Sequence, residues 1–171
     1  MNNTITIDGV TIELTKEQVE KLKVELGVEK KSPFERAELN KGYYFIEKYG
    51  YLNQFEEMDD GCDAKLYSIA NYCTDKDLLT KRAKEEVLSR LLWRFSMEND
   101  GDKIDWSVPN NKKYYVFYNH SAKKYDISFN DAYQNIGCIY FYSKEIAQRA
   151  IDEIIIPFNE GKLPCCEIWK E

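Results

Sequence analysis

The residues of this chain best suited to chemistry are carboxylates, and they cluster twice. Glu56-Glu57-Met58-Asp59-Asp60-Gly61-Cys62-Asp63 places five acids within eight residues, and Asp100, Asp102 and Asp105 form a second, looser group. Acids so spaced can hold a hard divalent cation, which takes oxygen ligands. Neither cluster has the ligand order of an EF-hand loop or its terminal Glu, so both read as solvated turns and no metal site is expected. A run of carboxylates can also stand in for nucleic-acid phosphates before a basic groove. Glu56, Glu57, Asp59, Asp60 and Asp63 are therefore the acidic candidates for a binding surface.

Other reactive chemistry is sparse. His120 is the only histidine and falls in a polar turn, Asn119-His120-Ser121-Ala122, where an exposed surface role is expected. Five cysteines make an odd count; Cys165-Cys166 is no zinc motif and Cys62 to Cys73 is too wide for one. Reduced, mostly packed thiols follow. There is no glycine-rich phosphate loop and no G-x-S-x-G elbow. The chain reads as non-enzymatic and without a cofactor. Carboxylates distant in sequence can still converge, which keeps a small enzyme or nucleotide-sequestering protein, using acids and lysines, as an alternative.

Aromatic residues supply a second set of candidates. They make up 14% of the chain, with thirteen Tyr and eight Phe. Alternation along a strand puts Tyr114, Val116 and Tyr118 on one face and Tyr115 and Phe117 on the other. Both faces are apolar, so the one not packed on helices needs a cover: the N-terminal unit, the tail, a second subunit or a ligand. Tyr114, Tyr115 and Tyr133 are the aromatic candidates. Exposed rings can stack single-stranded bases at about 1–3 kcal/mol each, but only beside a positively charged groove. The net charge of -6 works against that, so single-stranded nucleic-acid binding is an alternative and not the leading reading.

The elements that position these residues are legible. Residues 4–7 and 10–14 alternate around Asp8-Gly9, a favoured two-residue hairpin turn. Thr15 and Gln18 form a capping box, flanked by Leu14 and Val19 as a hydrophobic staple, ahead of a helix over 16–26 that stops at Gly27. Residues 28–41 read as a charged linker, with Ser32-Pro33 opposing helix. Two related units follow. The first, 42–99, has strands over 42–48, 51–55 and 65–72, then a helix over 76–97, capped by Thr74 or Asp75 and striped by Leu79, Ala83, Val87, Leu91 and Phe95. After a connecting loop, 100–112, the second unit, 113–158, has strands over 112–118, 124–129 and 137–141. Its helix is capped by Ser143 and broken at Pro157. The tail, 159–171, is expected to add a short strand or extended segment. The predicted class is α+β: an antiparallel sheet from two related β-rich units, each followed by an amphipathic helix on one side, preceded by a β-hairpin–helix unit.

The chain resembles an uncharacterised family of small proteins from phages and prophages of Firmicutes. The resemblance rests on ITIDGVTIELTKEQ, GYYFIEKYG, NYCTDKDLLTKRA, KYYVFYNHSAKKYDIS and GCIYFYSKEIAQRAIDEI, in that order over most of the chain. It departs from the family in its long linker and at Cys73, where an aromatic is expected. The resemblance implies a phage accessory protein acting by binding, such as an inhibitor of a bacterial defence system of the CRISPR-Cas kind. Its partner would be a host protein, with a homo-oligomer as a further option.

Length and composition fit that reading. The 171 residues, 43% hydrophobic, are enough for a folded core. Met1-Asn2-Asn3-Thr4 carries neither basic leader nor apolar segment, and no run approaches the ~18 apolar residues of a membrane span. The expected setting is the host cytoplasm, with no membrane association.

Overall fold

The structure, a computed structural model, describes residues 4–26 and 32–169. The chain divides into two units, Met1–Glu35 and Arg36–Glu171. In the first, β1 (Thr4–Ile7) pairs antiparallel with β2 (Val10–Glu13). Asp8 (φ 49°) and Gly9 (φ 83°) both take positive φ, as the two-residue turn requires. Helix α1 (Lys16–Glu25) starts at the expected capping box: the Gln18 N–H donates to Thr15 Oγ1 (3.3 Å) and the Thr15 N–H donates to Gln18 Oε1 (2.9 Å). The stop at Gly27 and the linker as far as Lys31 lie outside the described residues.

The second unit repeats one frame. Strand β3 (Gly42–Ile46) pairs with β4 (Leu52–Glu56), and β5 (Lys113–Asn119) with β6 (Lys124–Asn130). The α+β class and antiparallel pairing are as expected, but the strands form three separate two-stranded ladders instead of one sheet. The expected third strand of each unit shrinks to a single bridge, Tyr44 with Cys73 and Tyr114 with Phe141. Two residues beyond each bridge stands a helix cap. Asp75 accepts from the Leu78 N–H to open α3 (Lys76–Glu98), and Ser143 accepts from the Ile146 N–H to open α4 (Lys144–Ala150). Phe141 thus occupies in the second repeat the place held by Cys73 in the first repeat.

Four expectations give way. The first half of 65–72 is helical, because Asp60 and Asp63 build a capping box that starts α2 (Gly61–Ser68). Residues 137–141 form no ladder beyond one bridge: the chain turns at Gly137 (φ 76°), the Tyr140 hydroxyl accepts from Asn130 and Asn135, and Phe141 alone pairs with Tyr114. The chain does not break at Pro157: α4 widens into a π turn over Ile151–Ile155 and resumes as α5 (Ile156–Asn159), with the proline just after the wide turn. The tail forms a 3₁₀ turn, Pro164–Trp169, in place of an extended segment.

Three hydrophobic clusters follow the long helix. Near its start, Leu79 and Ala83 pack with Ile46 and Cys73; midway, Val87 meets Phe158 and Cys166; near its end, Phe95 joins Phe141, Ala147 and Ala150. Among the described residues no helix is long and apolar enough to cross a membrane.

Candidate functional site

The acidic loop folds inward. After β4 the chain turns at Asp59 (φ 57°), and Asp60 caps α2 by accepting the N–H groups of Cys62 and Asp63. This turn buries two of the five candidate acids, Glu57 and Asp63, each only 2% exposed. Buried carboxylates need full sets of donors, and both have them. Glu57 takes a bidentate pair from Arg36 (3.1 and 2.9 Å), the Tyr72 hydroxyl proton (2.7 Å) and the Asp59 N–H (2.9 Å). Asp63 accepts from the Tyr43 hydroxyl (2.6 Å) and the N–H groups of Met58 (2.8 Å) and Asp60 (3.2 Å).

The electrostatics follow these bonds. The Tyr43 hydrogen bond, assisted by the two backbone amides, holds Asp63 down at about 2. Burial and the Asp63 bond push Tyr43 well above the usual phenol range, and burial with the Glu57 bond pushes Tyr72 up to about 12. Tyr43 and Tyr72 stack at 3.9 Å, and the Tyr72 hydroxyl also accepts the Ala37 N–H (2.8 Å). Arg36 and Ala37 come from the expected linker, whose described end is therefore fastened to the first repeat. Asn40 and Lys41 also exchange backbone hydrogen bonds with Glu57. Such a network sets the loop's shape; its buried oxygens are already spoken for. Glu56, Asp59 and Asp60 remain on the surface, with Asp59 also paired to Arg36 (3.1 Å). Among the described residues no group of three or more His, Cys, Asp or Glu is placed to hold a metal.

The second acidic group is likewise engaged in turns. Asp100 (φ 64°) pairs with Lys103 at 2.7 Å, and Asp105 accepts both the N–H and hydroxyl of Ser107. His120 is exposed, edge-on to Tyr118 at 5.0 Å.

Tyr114 and Tyr115 are both half-buried, but on opposite faces of the β5–β6 hairpin. Tyr114 packs with the Phe95–Phe141 cluster. Tyr115 meets Tyr140 edge-on at 5.8 Å. Over Tyr115 the cover for the second face comes from the connecting segments. Tyr140 accepts the Asn130 amide and the Asn135 N–H, and Trp106 packs edge-on to it at 4.9 Å. Beneath them Lys113, 1% exposed, donates to the Val108 carbonyl and lies 5.0 Å from the Trp106 ring. Tyr72 plays the matching part in the first repeat. Neither Tyr114 nor Tyr115 is laid open as a stacking platform.

Tyr133 is different. It is well exposed, on a loop (131–139) whose tip, Ile136, has no cover at all. Gln134 and Cys138 of this loop, with Trp93, Met97, Ile104 and Trp106, line a cleft of about 200 Å³. Its wall is tied together by Ser96, which donates to the Tyr140 carbonyl at 2.6 Å. Trp93 is 61% exposed. Asp100, Asp102 and Asp105 lie in the same stretch of chain as the lining residues Gly101, Ile104 and Trp106. Trp93 and Ile136 were not singled out from sequence. The available signal was position: Trp93 falls off the apolar stripe of α3, where a large ring has no core to enter.

Compared with protein-family models, curated proteins and solved structures, the chain matches none.

Proposed function

We propose that this chain is a non-enzymatic binding protein, and that its contact surface for a partner protein is the cleft between α3 and the 131–139 loop. The observation that carries this is the concentration of uncovered large side chains there: Trp93, Tyr133 and Ile136, beside a preformed cleft. Exposed apolar groups of this size cost free energy in water, and clusters of them mark interaction sites. Trp and Tyr are the residues that most often anchor interfaces. The neighbouring Asp100, Asp102 and Asp105 favour a partner surface that is apolar and basic. The resemblance to phage and prophage proteins supplies the partner class: a host protein in the bacterial cytoplasm, an immune effector being the leading candidate.

The test is photo-crosslinking from a photoreactive amino acid at position 136 in host cells, repeated with Trp93→Asp. A single protein crosslinked at high yield and lost with Trp93→Asp supports the proposal. Absence of any such product, or one indifferent to Trp93→Asp, refutes it. A crosslink to a second copy of the chain also refutes it in favour of self-association.

A further inference from the structure

A second cavity, of about 340 Å³, lies elsewhere on the Arg36–Glu171 unit, lined by Lys81, Lys84, Leu88, Phe158, Cys166 and Trp169 among others. Its volume falls at the lower end of the roughly 300–1,000 Å³ usual for small-molecule sites. Two features of its lining point to a ligand. Phe158 and Trp169 meet edge-on at 5.8 Å and give it an aromatic wall. Lys81 and Lys84 form no ion pair among the described residues, and Lys84 Nζ hangs 5.7 Å from the Trp169 ring. Among the described residues Glu85 is the one acid of the lining, so the two lysines leave it positive. The Cys166 thiol is buried, and its S–H donates to the Phe158 carbonyl (3.5 Å).

We propose that this cavity binds a small aromatic carboxylate. The flat apolar body lies against Phe158 and Trp169, and the anionic group sits at the Lys81–Lys84 rim. A neutral aromatic leaves the lysines unused, and an aliphatic acid makes poorer use of two rings at right angles. This site is independent of the partner-binding cleft and stands or falls without it.

The probe is 1-naphthoate, with 1-naphthamide as its uncharged counterpart. The readout is the indole N–H region of a ¹H–¹⁵N spectrum, where the three tryptophans give three resonances and Trp169→Phe identifies one. Naphthoate is expected to shift the Trp169 resonance saturably, while naphthamide binds at least about tenfold more weakly. Both lysines are exposed, so Lys81→Glu with Lys84→Glu leaves the fold intact and removes the preference for the acid. Naphthoate that leaves the Trp169 resonance unmoved up to its solubility limit overturns the proposal. So does equal binding of acid and amide, or binding indifferent to the double substitution.

Discussion

Tyr72→Phe removes one oxygen from the centre of the Arg36–Glu57–Tyr72 network and keeps the ring stacked on Tyr43. The hydroxyl makes two hydrogen bonds: it donates to Glu57 Oε2 at 2.7 Å and accepts the Ala37 N–H at 2.8 Å. The bond to a charged acceptor is worth about 1.5–3 kcal/mol, and a buried donor left unpaired costs about 1–3 kcal/mol. Tyr72 is 2% exposed and Glu57 equally so, so water cannot easily replace the carboxylate's lost donor. Ala37 is half-buried, so its N–H recovers part of its loss from solvent. The expected destabilisation is about 2–4 kcal/mol, which at ~2–4 °C per kcal/mol for a chain of this size lowers Tm by roughly 4–16 °C. Urea unfolding followed by circular dichroism measures it directly. A cycle with Glu57→Gln then isolates the pair, and a coupling between about 0.5 and 3 kcal/mol is expected for groups in one network. A loss below ~0.5 kcal/mol, the range of unremarkable surface substitutions, or strictly additive single effects would refute the assignment of Glu57 and Tyr72 to a buried network.

Asp63 gives a pH test. Its carboxyl titrates near 3.8 when unfolded and at about 2 when folded, so its contribution is complete above the unfolded value and is lost as pH falls through the folded one. The stability gap between the native chain and Asp63→Asn should therefore narrow from pH 4 towards pH 2 in urea titrations and stay level above pH 5. Gly50 has φ +93°, and a Cβ there would lie 2.5 Å from Val87 Cγ2; Gly50→Ala should cost about 2–4 kcal/mol from left-handed strain and overpacking together. Gly137→Ala meets open space at φ +76°, so it should cost only about 1–2 kcal/mol, and the difference between the two melts isolates the steric part. Trp93→Asp should leave stability within about 0.5 kcal/mol while removing partner capture, since its ring is mostly in solvent.

Local signals in the sequence were reliable where the physics is local. The Asp8-Gly9 turn, the Thr15–Gln18 box, the Ser143 cap and the apolar stripe of α3 each depend on residues within one or two turns, and each appears in the structure. The misread segments are those where a distant partner decides. Residues 65–72 alternate well enough for a strand, but the Asp60–Asp63 box starts a helix first; the signature was there, written with Asp where Glu or Gln is usual. Tyr140 was read as a strand residue and is a cap for Tyr115, Asn130 and Trp106. The candidate acids show the same limit. Charge density alone marks 56–63 as a surface, and nothing at that range reveals that Arg36, twenty-one positions upstream of Glu57, will bury one carboxylate and Tyr43 another.

Helix α3 has a mechanical consequence. Its 23 residues span ~35 Å at 1.5 Å each, and its two ends belong to different hydrophobic clusters, one per repeat. Neither repeat can melt alone without fraying the helix that the other uses as a wall. The duplicated frame would otherwise behave as two weak domains, each with a two-stranded ladder too small to persist in water. Sharing one rigid rod makes their opening a common event, so the amides of Cys73 and Phe141, one at each bridge, should exchange with solvent at matching free energies although no hydrogen bond joins the two ladders.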